Sequence, residues 1–131
     1  MTMTAMQMII DAKAQVASVA PKAAADELAI GSSVAVDVRE SEEWQHGHID
    51  RSIPAPRGLL EFFADPTSPR HKDGLMPDGR TIVVCASGAR ATLAALTLKT
   101  MGYEDVAVLE GGLKAWMDAG LPTCDHEYSG I

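Results

Sequence analysis

Thr81-Ile82-Val83-Val84-Cys85-Ala86-Ser87-Gly88-Ala89-Arg90 is the stretch on which the reading of this chain turns. Residues 81–84 are apolar or β-branched without alternation, the pattern of a strand buried on both faces of a parallel sheet. The strand ends on a cysteine. The next four residues have small side chains and include one glycine, so the chain can curl tightly there. From residue 90 to 101 the sequence is rich in Ala and Leu, and Gly102 stands where a helix is closed by a left-handed residue. Strand, tight loop and helix in that order make half of a βαβ unit. In open α/β sheets the C-terminal strand edge is where ligands bind.

Working outward, residues 106–109 read as a further strand, and Gly111-Gly112 turns the chain into a last helix over residues 113–119, stopped by Gly120 and Pro122. Upstream, residues 34–38 form another compact apolar strand. Ser41 is the expected N-cap of the helix that follows, with Glu42 and Glu43 in its first turn, where the helix dipole favours acids. Residues 16–19 suit a short strand, and Pro21 opens a helix that runs to about residue 29 before Gly31. Met6, Ile9 and Ile10 have i, i+3, i+4 spacing, which predicts an amphipathic N-terminal helix packed on the domain. Residues 47–79 are irregular, with a helical turn or two at 58–63 and a turn at Pro77-Asp78-Gly79. Strands alternating with helices predict an α/β fold around a largely parallel sheet.

The chain has 131 residues, 47% of them hydrophobic, which suits one domain with a core that needs no staples. Its formal net charge of -7 argues against nucleic acid and against an anionic membrane surface as partners. No apolar run approaches the length of a membrane span, and the N-terminal one is too short for a signal-peptide core. The expected location is therefore the cytoplasm, whose reducing conditions would keep a thiol at Cys85. Cys85 and Cys124 form no disulfide framework. His46 and His48 lack companion ligands, so no metal site is expected.

The chemistry centres on Cys85. Inward-facing N–H groups of a tight loop, together with the dipole of the following helix, make an anion cradle. The same field favours thiolate over thiol and makes the sulfur nucleophilic. A cradled thiolate suits either phosphate-ester hydrolysis or sulfur transfer through a persulfide. A cysteine-dependent phosphatase loop places its arginine six residues after the cysteine, so that the guanidinium grips a tetrahedral phosphate bidentately. Here Arg90 comes five after Cys85, and position 91 is Ala91. The shorter ring fits a persulfide better.

Five groups of residues, the Cys85–Arg90 loop among them, make up the wider pattern: Asp37-Val38-Arg39-Glu40, Glu43-Trp44 with Gly47-His48-Ile49, Ser52-Ile53-Pro54, the loop itself, and Leu109-Glu110-Gly111-Gly112 with Ala115-Trp116 and Ala119-Gly120-Leu121-Pro122. In this order they resemble the rhodanese family along nearly the whole chain. The resemblance implies a parallel sheet of about five strands with helices on both faces. It divides the chain into an N-terminal helix at 1–15, a family core at 16–123 and a tail at 124–131. It also implies that Cys85 carries the sulfur and that the backbone of Ala86, Ser87, Gly88, Ala89 and Arg90 holds it, with no metal or organic cofactor. The expected partners are a small anionic sulfur donor and a thiol or cyanide acceptor, and the expected state is a monomer or weak homodimer. A non-catalytic binding module is the alternative, and a phosphatase or arsenate reductase is a further one.

Two departures from the family stand out. Ala91 replaces a common serine, and Asp50-Arg51-Ser52 replaces a common Gly-Ala pair, expected to be a surface variation. Asp37 and Arg39 are read as an ion pair supporting the strand end. Arg90 either faces substrate or points to solvent beside Glu104 or Asp105. Trp44 and Trp116 are expected in the core, His48 in a hydrogen-bonded turn, and Cys124 as a bystander thiol rather than a resolving one.

Overall fold

The computed structural model describes residues 2–125. His126 and the rest of the tail lie outside the described residues. Five parallel strands form one sheet in the order β1-β5-β4-β2-β3. They are β1 (Ala17–Val19), β2 (Val34–Asp37), β3 (Ile53–Pro54), β4 (Arg80–Val84) and β5 (Asp105–Leu109). The three central strands, β5, β4 and β2, are those with continuous apolar runs, and they are buried on both faces as parallel strands require.

Along β4 and just beyond it, Val83 and Cys85 point to one face, while Ile82 and Val84 point to the other. The first face is covered by α1 (Ala5–Lys13), α4 (Leu60–Ala64) and α5 (Ala89–Thr100), the second by α2 (Pro21–Ala29) and α6 (Gly112–Asp118). The expected α/β sandwich is present. The alternation places Cys85 on the α5 face of the sheet, buried in the core beneath the first turn of that helix.

Three local expectations are corrected. The strand β3 has no apolar run to announce it; it is two residues long and pairs Ile53 with Val36 and Pro54 with Asp37. A proline is acceptable there because β3 is an edge strand and no neighbour needs its missing N–H. In the helix α3 (Ser41–Gln45), Glu40 rather than Ser41 is the N-cap. Its carboxylate accepts from the Glu43 amide, and the Glu43 carboxylate accepts from the Glu40 amide at 3.1 Å, a reciprocal capping box. In α1, Met6 and Ile10 stay exposed, and the fully buried residue is Ala12, whose small side chain allows close approach to α5.

Trp44 and Trp116 are buried, as expected. The His48 ring stacks on Trp44 with centroids 3.4 Å apart and shares a 2.7 Å hydrogen bond between Nδ1 and the Trp44 carbonyl. The replaced Gly-Ala pair is not wholly superficial. Arg51 adopts a left-handed φ of 66°, while Ser52 is fully buried and accepts a hydrogen bond from Trp44 Nε1 at 3.1 Å. Just past residue 123, His48 and Cys124 exchange backbone hydrogen bonds of 2.9 and 2.8 Å.

On the α5 face, the buried Tyr103 hydroxyl donates to the Ala64 carbonyl at 2.7 Å and ties the end of α4 to the sheet. Burial pushes its phenol up to about 12. Tyr103→Phe should lower stability by about 1 kcal/mol in urea unfolding, with the denaturant slope unchanged.

Candidate active site

At the C-terminal end of β4 the chain turns into α5 through residues 85–88. Gly88 is the N-cap of α5 and sits at φ 117°, a conformation that favours glycine. It has no side chain to cap the helix, so the first-turn N–H groups of α5 need another acceptor. The acceptor is Cys85 Sγ. It receives the Gly88 amide at 3.0 Å and the Ala91 amide at 3.3 Å. Ala91 lies outside the span of residues 86–90 expected to hold the sulfur. The signal that could have found it is positional: Ala91 is the third helical residue, whose N–H is ordinarily taken by a capping side chain.

The outer side of the loop is held by a second helix. Leu113 N–H donates to the Cys85 carbonyl at 2.8 Å, and Lys114 N–H donates to the Ala86 carbonyl at 3.1 Å. Two of the loop's carbonyls are therefore turned outward to α6. Gly112 makes this approach possible. Its φ is 66°, and a Cβ there would lie 2.6 Å from the Ala86 carbonyl carbon and oxygen and 2.7 Å from the Cys85 oxygen.

The side chains around the loop are paired with one another. Arg39 donates to Asp37 from Nε at 3.0 and 3.2 Å and from a terminal nitrogen at 2.9 Å, and that nitrogen also donates to the Gly47 carbonyl at 2.7 Å. Both residues are buried, so they brace the end of β2 against the turn after α3, in keeping with the ion-pair reading. Arg90 neither points free to solvent nor pairs with Glu104 or Asp105. Its guanidinium makes a bidentate bridge to Glu43, at 2.8 and 3.0 Å. Asp105 pairs instead with Arg80. The Arg90 bridge, the Glu40 amide and the nearby Arg39 hold the Glu43 carboxyl down to about 2 despite partial burial. The Arg90–Glu43 pair clamps the active loop to α3.

Cys85 itself is 1% exposed. Cys85 and Cys124 both remain thiols. Beside the loop lies a groove of about 480 Å³, with Ser87, Gly88 and Ala89 on one side and Met6, Ile9 and Lys13 of α1 on the other.

The family model for the rhodanese-like domain matches residues 20–119, which take in the sheet from β2 onward, the Cys85 loop and α6. The chain belongs to the rhodanese-like domain family. Among solved structures, a Rhodopseudomonas palustris protein described as of unknown function and a possible tyrosine phosphatase is 36% identical. It superposes with a TM-score of 0.86 over 93% of this chain and 95% of that one. The polysulfide-sulfur transferase homodimer of Wolinella succinogenes is 30% identical, with a TM-score of 0.72 over 92% of this chain and 87% of that one. The Arabidopsis thaliana protein HIGH ARSENIC CONTENT 1, mitochondrial, is 33% identical over 93 residues, 66% of this chain and 53% of that protein. Other relatives carry sulfurtransferase or sulfur-carrier names. This rhodanese-like chain spans from about a quarter to about half the length of the first curated relatives it matches.

Gly112→Ala tests the support that α6 gives the loop. The left-handed strain and the clash with the loop backbone together should cost about 3 kcal/mol in stability. Urea unfolding reads that loss.

Proposed function

We propose that this rhodanese-like chain is a sulfurtransferase that carries sulfane sulfur on Cys85. One observation carries the reading: two backbone N–H groups point at the Cys85 sulfur while the loop's guanidinium is engaged by Glu43. Backbone donors arranged around sulfur suit a persulfide anion. A phosphatase needs its arginine to grip the phosphoryl group, and here that arginine is one position early and already paired bidentately. This weighs against phosphate or arsenate chemistry, even beside relatives whose names mention a possible tyrosine phosphatase and arsenic. The name of the Wolinella relative agrees with sulfur transfer.

The reaction has two halves. The Cys85 thiolate attacks the outer sulfur of a donor such as thiosulfate. The new S–S bond forms as the donor's own S–S bond breaks, and sulfite leaves with the electron pair. In this reading the Gly88 and Ala91 amides, already on the Cys85 sulfur, hold the inner sulfur, and the other N–H groups of residues 86–90 receive the outer one. A second nucleophile, cyanide in an assay or a cellular thiol, then takes the outer sulfur and restores the thiolate. No step needs a metal or an organic cofactor. A reducing compartment such as the cytosol suits a cycle that must return to the thiolate, and a monomer is sufficient for it.

Cys85→Ser should abolish thiosulfate-to-cyanide transfer and the gain of one sulfur seen by intact-mass spectrometry after thiosulfate, while circular dichroism stays native. Cys124→Ser should retain most turnover, because Cys124 sits in the bridge to His48. Sulfur retained on the Cys85 variant would overturn the assignment. As a separate check, the wild type should hydrolyse an aryl phosphate no faster than its Cys85→Ser variant; a phosphatase rate that disappears with Cys85 would favour the rival chemistry.

A further inference from the structure

Both arginines beside the loop are neutralised locally, Arg39 by Asp37 and Arg90 by Glu43. The chain as a whole carries a formal net charge of -7. No uncompensated guanidinium therefore draws a dianion to the mouth, and the long-range field opposes it more than it opposes a monoanion. The groove beside the loop is also far larger than a tetrahedral oxyanion needs. Its volume of about 480 Å³ falls in the range of sites for small organic molecules. Met6 and Ile9 line its apolar side, and Ser87, Gly88 and Ala89, from the same loop that holds Cys85, line the other. Lys13 and Glu110 add one charge of each sign, so the groove favours neither a strongly anionic nor a strongly cationic occupant.

Resting on the reading of Cys85 as a sulfane-sulfur carrier, we infer that Glu43 sets donor specificity. By holding Arg90 it selects against inorganic dianions, and the α1 groove takes the apolar body of a monoanionic organic donor, a thiosulfonate or a persulfide. With a thiosulfonate, the Cys85 thiolate attacks the terminal sulfur. The bond from that sulfur to the sulfonyl group breaks, and a sulfinate leaves with the electron pair. With a persulfide, the inner sulfur leaves as the thiolate. The transferred sulfur keeps its oxidation state in both, so neither step needs an outside oxidant or reductant.

The test compares thiosulfate with benzenethiosulfonate as donors, with cyanide as the acceptor for both. In the wild type, kcat/KM should favour benzenethiosulfonate by about tenfold or more, and thiosulfate turnover should stay flat or rise with added salt. Glu43→Gln, which keeps the shape and an acceptor oxygen but removes the charge, should raise kcat/KM for thiosulfate about fivefold more than for benzenethiosulfonate. It should also make thiosulfate turnover fall with salt. Ile9→Asp, on the groove wall, should lower kcat/KM for benzenethiosulfonate about fivefold more than for thiosulfate. Equal responses of the two donors to either variant, or a wild-type thiosulfate rate that falls steeply with salt, would overturn the inference. The salt response needs no variant, so it decides the matter even if a variant fails to fold. Absence of an added sulfur on Cys85 from both donors would remove the sulfurtransferase reading itself, an outcome distinct from loss of the donor preference.

Discussion

Two hydrogen bonds, from the Leu113 and Lys114 amides to the carbonyls of Cys85 and Ala86, fasten the Cys85 loop to α6. A peptide unit turned to present its carbonyl to one side offers its N–H to the other. α6 thus turns the Cys85 and Ala86 carbonyls to the outside of the loop, while the Gly88 and Ala91 amides reach the sulfur on the inside. The donors are the unsatisfied first-turn amides of α6, which need acceptors wherever that end is buried. One contact thus satisfies both a helix terminus and a strand-end loop. It also explains why the Gly111-Gly112 turn, some 25 residues away in sequence, belongs to the same device.

The second helix terminus is handled differently. At the start of α5 the capping role falls to a side chain three residues upstream, the thiol of Cys85. A neutral thiol is a weak acceptor, whereas a thiolate or persulfide is a strong one. The bond that caps α5 is therefore stronger when the sulfur is charged, and the structural and chemical roles of those amides reinforce each other. Cys85 is also packed into the core of the α5 face beside Ala91, so its sulfur sits in the packed part of the fold rather than on an exposed tip.

Charge around the site is organised in closed pairs rather than left open to ligand. The capping box of α3 orients Glu43, which then meets Arg90 across the loop, so one carboxylate fastens a helix start and a catalytic loop together. Asp37 and Arg39 do the same for the end of β2, with the Gly47 carbonyl as the third partner. The buried Arg39 offsets its desolvation with bonds from Nε and one terminal nitrogen, and the partly exposed Arg90 gives both terminal nitrogens to Glu43. The mouth of the site is left with backbone dipoles as its main attraction for an anion.

Sequence alone determined the features that depend on local pattern. The three long central strands announce themselves as continuous apolar runs, α2 and α5 carry clear start and stop residues, and a small-residue loop after a buried strand singles out Cys85 as the candidate site residue. The spacing of five residues from Cys85 to Arg90 could be read directly from the sequence. Tertiary structure decided what local pattern cannot encode. The two-residue β3 exists only because β2 offers it an edge, and the Ala91 amide reaches Cys85 only through the geometry of the first turn of α5. The partner of Arg90 was beyond sequence because a long arginine can reach several carboxylates. Glu43 is chosen over Glu104 or Asp105 by the packing that brings α3 to the loop and leaves Asp105 to Arg80. Periodicity names the face of a strand or helix, but which distant charge meets which is settled only when the elements pack.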